Sequence, residues 1–167
     1  MVRDFSFDLI NHLRKGTKLT YTWKLPDWVL SNKDFILSKL EHDSTVDRYT
    51  RYHDVGKPFC LTIDNQGKQH FPNHAVVSEE IYRKHISKKD TVVRRLIKYD
   101  MDIHCLKSDD IEEFCKRREA ITSLIVGLAE IHANADMFGG LDSISFKIKW
   151  KHLNKRGGQI LKIMNKL

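Results

Sequence analysis

The sequence predicts a mostly α-helical fold. Apolar residues recur every three or four positions along most of the chain, which is the spacing of one face of a helix. Helix-starting and helix-stopping residues (Asp, Ser and Pro at the beginnings, Gly at the ends) separate these segments. The chain has 167 residues, of which 41% are hydrophobic, so it is long enough to bury one good core. We therefore expect a single domain over residues 1–167, a helical bundle with room for a small β element.

The first two predicted helices are defined by apolar spacing and by their end residues. Residues 4–15 place their apolar side chains on one face, and Gly16 closes the segment. Pro26 opens the second helix, which continues to about Glu41. Between them, residues 18–25 alternate and are rich in β-branched and aromatic side chains. This composition favours a short strand or an extended connection.

The third predicted helix begins at Asp43 or Ser44, either of which can serve as its N-cap. It ends at the sequence Gly56-Lys57-Pro58, since glycine tolerates a left-handed C-cap and proline cannot continue a helix. Residues 59–73 have the composition of a loop, with a small hairpin around residues 64–67.

Two further helices follow this loop. The first spans residues 74–85 and places Val77 and Ile81 on one side, where His74 is a further candidate. The second is capped by Asp90-Thr91 and runs to His104.

The last third of the chain begins with a longer helix, from Ser108 to about Asp136, which Gly139-Gly140 breaks. Residues 143–150 alternate apolar and basic side chains, which is compatible with either a strand or an exposed basic segment. A last short helix follows Gly157-Gly158 and ends at Leu167.

Composition narrows the class of protein. No apolar run approaches the ~18 residues of a membrane span, and the N-terminal residues are too polar for a signal peptide. The cysteines (Cys60, Cys105 and Cys115) are odd in number and form no CxxC motif, which indicates reduced thiols in a cytoplasmic protein. The net charge of +7 favours anionic partners such as nucleotides or nucleic acid, although it also serves solubility alone.

The most informative stretch is Arg51-Tyr52-His53-Asp54-Val55-Gly56-Lys57-Pro58. The adjacent His53 and Asp54 bring an imidazole nitrogen and a carboxylate oxygen, two metal-ligating atoms, to one small volume. Lys57 follows within one helical turn and provides a cation for a phosphate. The pattern His-Asp-x-Gly-Lys-Pro resembles the signature of the HD superfamily of metal-dependent phosphohydrolases.

Three later segments extend this resemblance to about residues 48–140. Residues 71–78 (FPNHAVVS) are similar to the family's motif of a histidine that opens a helix. Residues 96–104 (LIKYDMDIH) are similar to its segment ending in a further histidine, and residues 129–140 (AEIHANADMFGG) to its final Ala-Asp motif. The similarity is strongest to the HD domains of tRNA nucleotidyltransferases, and residues 141–167 form a basic extension outside it.

The resemblance implies a divalent metal ion. Mixed His and carboxylate ligands do not distinguish between Mn, Mg, Zn, Ni, Co and Fe. Its implied ligands are His53, Asp54, His74 and Asp136. Asp54, Lys57 and His104 are the implied catalytic residues, and Arg51 and Lys57 the implied substrate contacts. The family also has an upstream histidine, for which His12 and His42 are the candidates; neither lies in a family motif.

Each of these residues has a plainer interpretation. In that interpretation, His53 and Asp54 are a hydrogen-bonded pair at a helix end without a metal, and His74 only donates a hydrogen bond to a backbone carbonyl. His104 is favourable at a helix C-terminus on electrostatic grounds alone, and Asp136 caps the turn before the glycine pair.

The expected function is hydrolysis of phosphomonoester or phosphodiester bonds in nucleotides or nucleic-acid ends, of the nucleotidase or 2′,3′-cyclic phosphodiesterase type. The alternative is a catalytically weakened HD fold that binds nucleic acid. The basic C-terminal segment suits an RNA contact in that case. Its cations are Lys147, Lys149, Lys151, Lys155, Arg156, Lys162 and Lys166.

Overall fold

The computed structural model describes residues 1–166 and confirms the mostly α-helical prediction. The chain divides into two compact units: residues 1–41 together with 102–167 form the first, and residues 42–101 form the second. In the described part of the chain, no helix has the length and apolar character needed to cross a bilayer.

The helices are, in chain order, α1 (Val2–Lys15), α2 (Asp27–Ser31), α3 (Lys33–Lys39), α4 (Asp43–Tyr52), α5 (Lys57–Cys60), α6 (His74–His85), α7 (Thr91–Lys98), α8 (Asp102–Cys105), α9 (Ile111–Cys115), α10 (Ala120–Met137) and α11 (Ile144–Met164). A 3₁₀ turn covers Ser108–Asp110. Strands β1 (Thr62–Ile63) and β2 (Gln69–His70) pair antiparallel, with Thr62 opposite His70. This pair is the hairpin that the sequence predicted.

Helix α10 is the centre of the first unit. It is buried on almost every side, as expected for a helix that is apolar all round, and α1, α3, α8 and α11 pack against it. Gly127 lets α8 approach closely, because a Cβ there would lie 2.8 Å from Cγ2 of Ile103.

Residues 18–25 form an extended connection in the first unit rather than a strand. Asp8 holds it by accepting hydrogen bonds from the backbone of Thr20 (2.9 Å) and from Nε1 of Trp23 (2.9 Å). His132, buried on α10, accepts a 3.1 Å hydrogen bond from the Lys24 backbone through Nε2 and contacts Leu128 O through Nδ1. A histidine therefore joins this connection to the central helix.

Two predicted helices of the first unit are interrupted. The helix from Pro26 to Glu41 is broken at Asn32, whose side-chain amide donates to the carbonyl of Trp28 (2.9 Å) and competes with backbone hydrogen bonding. The predicted helix from Ser108 to Asp136 is broken by a turn over residues 116–119, where the Ala120 amide donates to the Arg117 carbonyl.

The C-terminal segment differs most from the prediction. Residues 143–150 form neither a strand nor an irregular exposed segment, because they begin α11, with Ser143 accepting from the Phe146 amide as N-cap. The helix continues through Gly157-Gly158, so no separate last helix exists there. Gly157 is required for packing, since a Cβ would lie 2.3 Å from the Trp28 ring. The predicted end at Leu167 lies outside the described residues.

The second unit contains α4, α5, the hairpin, α6 and α7, with α6 and α4 both packed on α7. Its buried apolar residues are Val46, Tyr49, Ala75, Tyr82, Val93, Leu96 and Ile97. Asp90, the N-cap of α7, connects the three longer helices. Its carboxylate accepts hydrogen bonds from Arg48 of α4 (2.6 Å) and from the Tyr82 hydroxyl of α6 (3.2 Å). Burial, followed by the Asp90 carboxylate, raises the pKa of Tyr82, so its hydroxyl stays a donor at neutral pH.

Several sequence predictions for this unit were wrong in detail. His42, not Asp43 or Ser44, is the N-cap of α4; its Nδ1 accepts from the Ser44 amide. The helix predicted over 91–104 stops at Lys98, and a turn precedes α8. The side of α6 with Val77 and Ile81 is half-buried, and the fully buried positions are Ala75, Ser78, Glu79 and Tyr82.

Candidate metal centre

Three side chains of the second unit bring ligand atoms together. Asp54 lies in the turn after α4, His74 is the first residue of α6, and Asp100 follows the end of α7. One ligand atom from each lies within 4.8 Å of the other two. His53 borders this group, with its Nε2 at 3.4 Å from Oδ2 of Asp54. We call His53, Asp54, His74 and Asp100 the cluster.

Gly56 brings the His53-Asp54 turn against α6. Its amide donates to the Ser78 hydroxyl (2.8 Å), and a Cβ would lie 2.6 Å from the Ser78 nitrogen and 2.7 Å from the His74 carbonyl oxygen. Its φ of −81° shows that the predicted left-handed C-cap was wrong. Glycine is needed here for the close approach of two backbones, and this approach places Asp54 beside His74.

Backbone carbonyls fix the orientation of both imidazoles. Nδ1 of His53 lies 3.0 Å from the Thr50 carbonyl oxygen, and Nδ1 of His74 lies 3.0 Å from the Phe71 carbonyl oxygen. Because a carbonyl oxygen only accepts, each Nδ1 carries a hydrogen, and in the neutral ring Nε2 presents a lone pair. A metal-ligating histidine commonly has this arrangement.

Both lone pairs face the same carboxylate. Nε2 of His74 is 3.6 Å from Oδ1 of Asp54, while Nε2 of His53 approaches Oδ2. His53 Nε2 and Asp54 Oδ1 are buried atoms that have no hydrogen-bond partner among residues 1–166. Lone pairs directed at an anion repel it unless a proton or a metal cation lies between them, and buried polar atoms are rarely left unsatisfied. The donor set of His74, Asp54 and Asp100, with His53 at its border, therefore fits a divalent cation.

Asp100 is the ligand candidate that the sequence prediction missed. Its side chain is 1% exposed, and the Tyr49 hydroxyl donates a hydrogen bond to it. A signal was present in the sequence, because Asp100 lies three, four and seven positions after Ile97, Leu96 and Val93, on their apolar face. An acid in that position is expected to be buried, and buried acids are retained when they are paired or bind metal.

The more open side of the cluster carries a cation. Lys57 places Nζ 2.6 Å from Oδ2 of Asp54 and 5.8 Å from the centroid of the Phe71 ring. The side chains of Lys57 and Asp54 are 33% and 35% exposed, so a solute can reach both. Arg51, the other predicted substrate contact, lies on the exposed side of α4 and pairs with Asp47 (2.8 Å).

The remaining predicted residues have other surroundings. In the first unit, His104 pairs with Glu130 (2.9 Å) and Asp136 is exposed in the last turn of α10. Among residues 1–166, the group whose ligand atoms lie within 4.8 Å of one another is Asp54, His74 and Asp100, and it includes neither His104 nor Asp136. Of the two candidates for the upstream histidine, His12 contacts the Thr17 carbonyl (2.7 Å) and His42 caps α4.

Comparisons with known proteins give no relative. No family model matches the chain, and neither a curated protein nor a solved structure does.

Proposed function

We propose that this protein is a metal-dependent phosphohydrolase of the HD type that acts on phosphomonoester or phosphodiester bonds of nucleotides or nucleic-acid ends. The observation that supports the proposal is the convergence of one imidazole and two carboxylates, bordered by the His53 imidazole, with Lys57 on their more open side.

His53, Asp54, His74 and Asp100 would hold the ion, and their mixed donor types suit Mn, Mg, Zn, Ni, Co or Fe. When bound, such an ion makes water a nucleophile at neutral pH and withdraws charge from a phosphoryl oxygen. The carbonyls of Thr50 and Phe71 keep both Nε2 lone pairs directed inward.

Lys57 has the role of binding the phosphate. Its ammonium group pairs with Asp54 in the free protein and is partly exposed, so it can turn towards an incoming phosphate oxygen. There it neutralises charge that builds up on the phosphoryl oxygens in the transition state. Arg51 provides a second cation that can exchange its Asp47 partner for substrate.

His104 and Asp136 stay proposals from the family resemblance, as proton donor and late ligand. A cytoplasmic location is likewise a proposal. It is supported by the three free cysteines Cys60, Cys105 and Cys115.

The deciding experiment measures bound metal by elemental analysis and hydrolysis of bis-p-nitrophenyl phosphate and a nucleotide panel. The variants are Asp54→Ala, Asp100→Asn and Asp136→Asn, and Asp142→Asn is the control because Asp142 is fully exposed. We expect Asp54→Ala and Asp100→Asn to lose metal and turnover while Asp142→Asn keeps both. An effect of Asp136→Asn equal to that of Asp100→Asn would restore Asp136 as a ligand.

Wild-type protein that binds no divalent ion and hydrolyses no substrate would refute the proposal. The alternative, a catalytically weakened HD fold that binds nucleic acid, would then be favoured.

A further inference from the structure

Helix α11 holds most of the chain's excess positive charge. It contains five lysines and one arginine and no acidic residue, in a protein whose net charge is +7. Elsewhere in the chain, acidic and basic residues are interspersed. Several arginines of the first unit have carboxylate partners. Arg117 pairs with Asp102 (2.6 Å) and Arg118 with Glu41 (2.7 Å).

Four of these lysines lie in one row. Lys147, Lys151, Lys155 and Lys162 are all exposed and follow one another at spacings of four, four and seven residues. Such spacings keep side chains on one face of a helix, and the row extends about 22 Å at 1.5 Å per residue. We call these four residues the lysine face.

The lysine face is not neutralised by the protein. Lys147 lies 3.5 Å from Asp142, whose side chain is fully exposed. In the described part of the chain, Lys151, Lys155 and Lys162 form no ion pair within 4.0 Å and no side-chain hydrogen bond. Lysines four residues apart repel each other and destabilise a helix, so this arrangement costs stability.

Packing does not explain the lysines either. The opposite side of α11 supplies the core contacts, through Phe146, Leu153, Ile160 and Leu161. The lysine face points away from that core and contributes nothing to it. A row of cations that weakens its own helix and buries no apolar surface is expected to have an external anionic partner.

We propose that the lysine face of α11 binds the phosphate backbone of nucleic acid, independently of base sequence. Phosphates in one strand of B-DNA follow every 3.4 Å along the axis, so a row of about 22 Å faces roughly six of them. The apolar residues exposed on α11 are Ile144 and Ile148, both near its N-terminus. The lysine face itself is entirely cationic, which suits a phosphate chain better than the apolar interior of a membrane.

The test is fluorescence anisotropy with the full-length protein and labelled 20-nucleotide RNA, single-stranded DNA and duplex DNA. EDTA is present throughout, and the series is repeated with Asp54→Ala, so that the metal cluster takes no part. We expect binding of all three probes, with affinity falling steeply as salt rises. The variant Lys151→Gln/Lys155→Gln/Lys162→Gln should bind single strands roughly 100-fold more weakly at 0.1 M salt, and its salt slope should be smaller by about 2.

The matched control is Lys15→Gln/Lys18→Gln/Lys33→Gln, which removes the same charge from exposed lysines of the first unit. Its affinity should fall less than about threefold. The lysine-face variant should also unfold at a temperature no lower than wild type, because its lysines do not pack and repel one another.

Equal losses in the two variants would show that net charge alone drives binding and would overturn the proposal. It would also be overturned if the protein bound vesicles with 30% phosphatidylserine but none of the nucleic acids. The outcome is independent of the proposed hydrolase, since binding in EDTA by Asp54→Ala needs no metal.

Discussion

Tyr49 donates its phenolic hydrogen to Asp100, and both side chains are 1% exposed. This hydrogen bond connects α4, which leads into His53 and Asp54, to the end of α7. The Asp100 carboxylate is therefore oriented by a buried residue of α4.

Tyr49→Phe is expected to lower the free energy of unfolding by about 1.5–3 kcal/mol, because it removes a hydrogen bond to a buried carboxylate. Loss of an outer partner of a ligand should weaken metal binding 10–100-fold. Urea unfolding and metal titration measure the two effects. Tyr52→Phe is the control, since Tyr52 is half-buried and its hydroxyl has no hydrogen bond among residues 1–166. Metal binding unchanged by Tyr49→Phe would contradict the role of Tyr49 in orienting Asp100.

Gly56→Ala should disturb the cluster through the backbone. The new Cβ would meet the Ser78 nitrogen and the His74 carbonyl oxygen, so α6 has to move away from Asp54. We expect a loss of about 1–3 kcal/mol in unfolding free energy and weaker metal binding. Gly67→Ala is a useful comparison, because Gly67 has a φ of +78° and open space around it. That variant should lose stability through backbone strain alone and keep its metal affinity.

Stability should fall below neutral pH because of His132. Burial lowers the pKa of this imidazole, more than its hydrogen bonds with Leu128 and Lys24 raise it. Below about pH 6.5 the unfolded chain binds a proton that folded His132 does not take up. The free energy of unfolding therefore decreases as pH falls from 6.5 towards the lowered folded pKa.

The measurement is urea unfolding at pH 7.5 and pH 5.0 for wild type and His132→Gln, with His85→Gln as an exposed control. We expect the difference between the two pH values to be smaller in His132→Gln than in the control. Equal differences would show that other groups cause the pH dependence.

The two glycines within α11 should respond in opposite ways to alanine. Gly157→Ala would place a Cβ 2.3 Å from the Trp28 ring and should destabilise by about 1–3 kcal/mol. At Gly158 the nearest atom would be 3.9 Å away, so Gly158→Ala should stabilise by about 0.5–1 kcal/mol, as in any helix interior. Thermal unfolding of both variants checks the contrast.

Sequence reasoning predicted the helical class, the hairpin and the exact range of α6, because these depend on local signals. It was wrong where tertiary contacts decide. Gly157-Gly158 resembles a helix break in sequence, yet the helix continues through it, and Gly157 is the position where the Trp28 ring packs against the helix. The alternation over residues 143–150 suited a strand, but the apolar positions from Phe146 onward also fit one helical face.

The candidate site was predicted in part for the same reason. His53, Asp54, Lys57 and His74 are marked by local motifs, and the structure places them in one region of the second unit. Asp100 is marked only by its position on an apolar face, which is a weaker signal than a histidine at a helix end. The family resemblance directed attention to His104 and Asp136 instead.

The division of the chain has a consequence for its synthesis. Residues 42–101, with every member of the cluster, are contiguous, so all the contact partners within this unit have been synthesised once residue 101 is added. Helix α1 packs against α10, which lies more than a hundred residues later. At about 5–20 residues per second, the apolar face of α1 waits on the order of 6–25 seconds for its partner. During that interval the nascent chain exposes Phe5, Leu9 and Leu13, which are the groups a chaperone would recognise first.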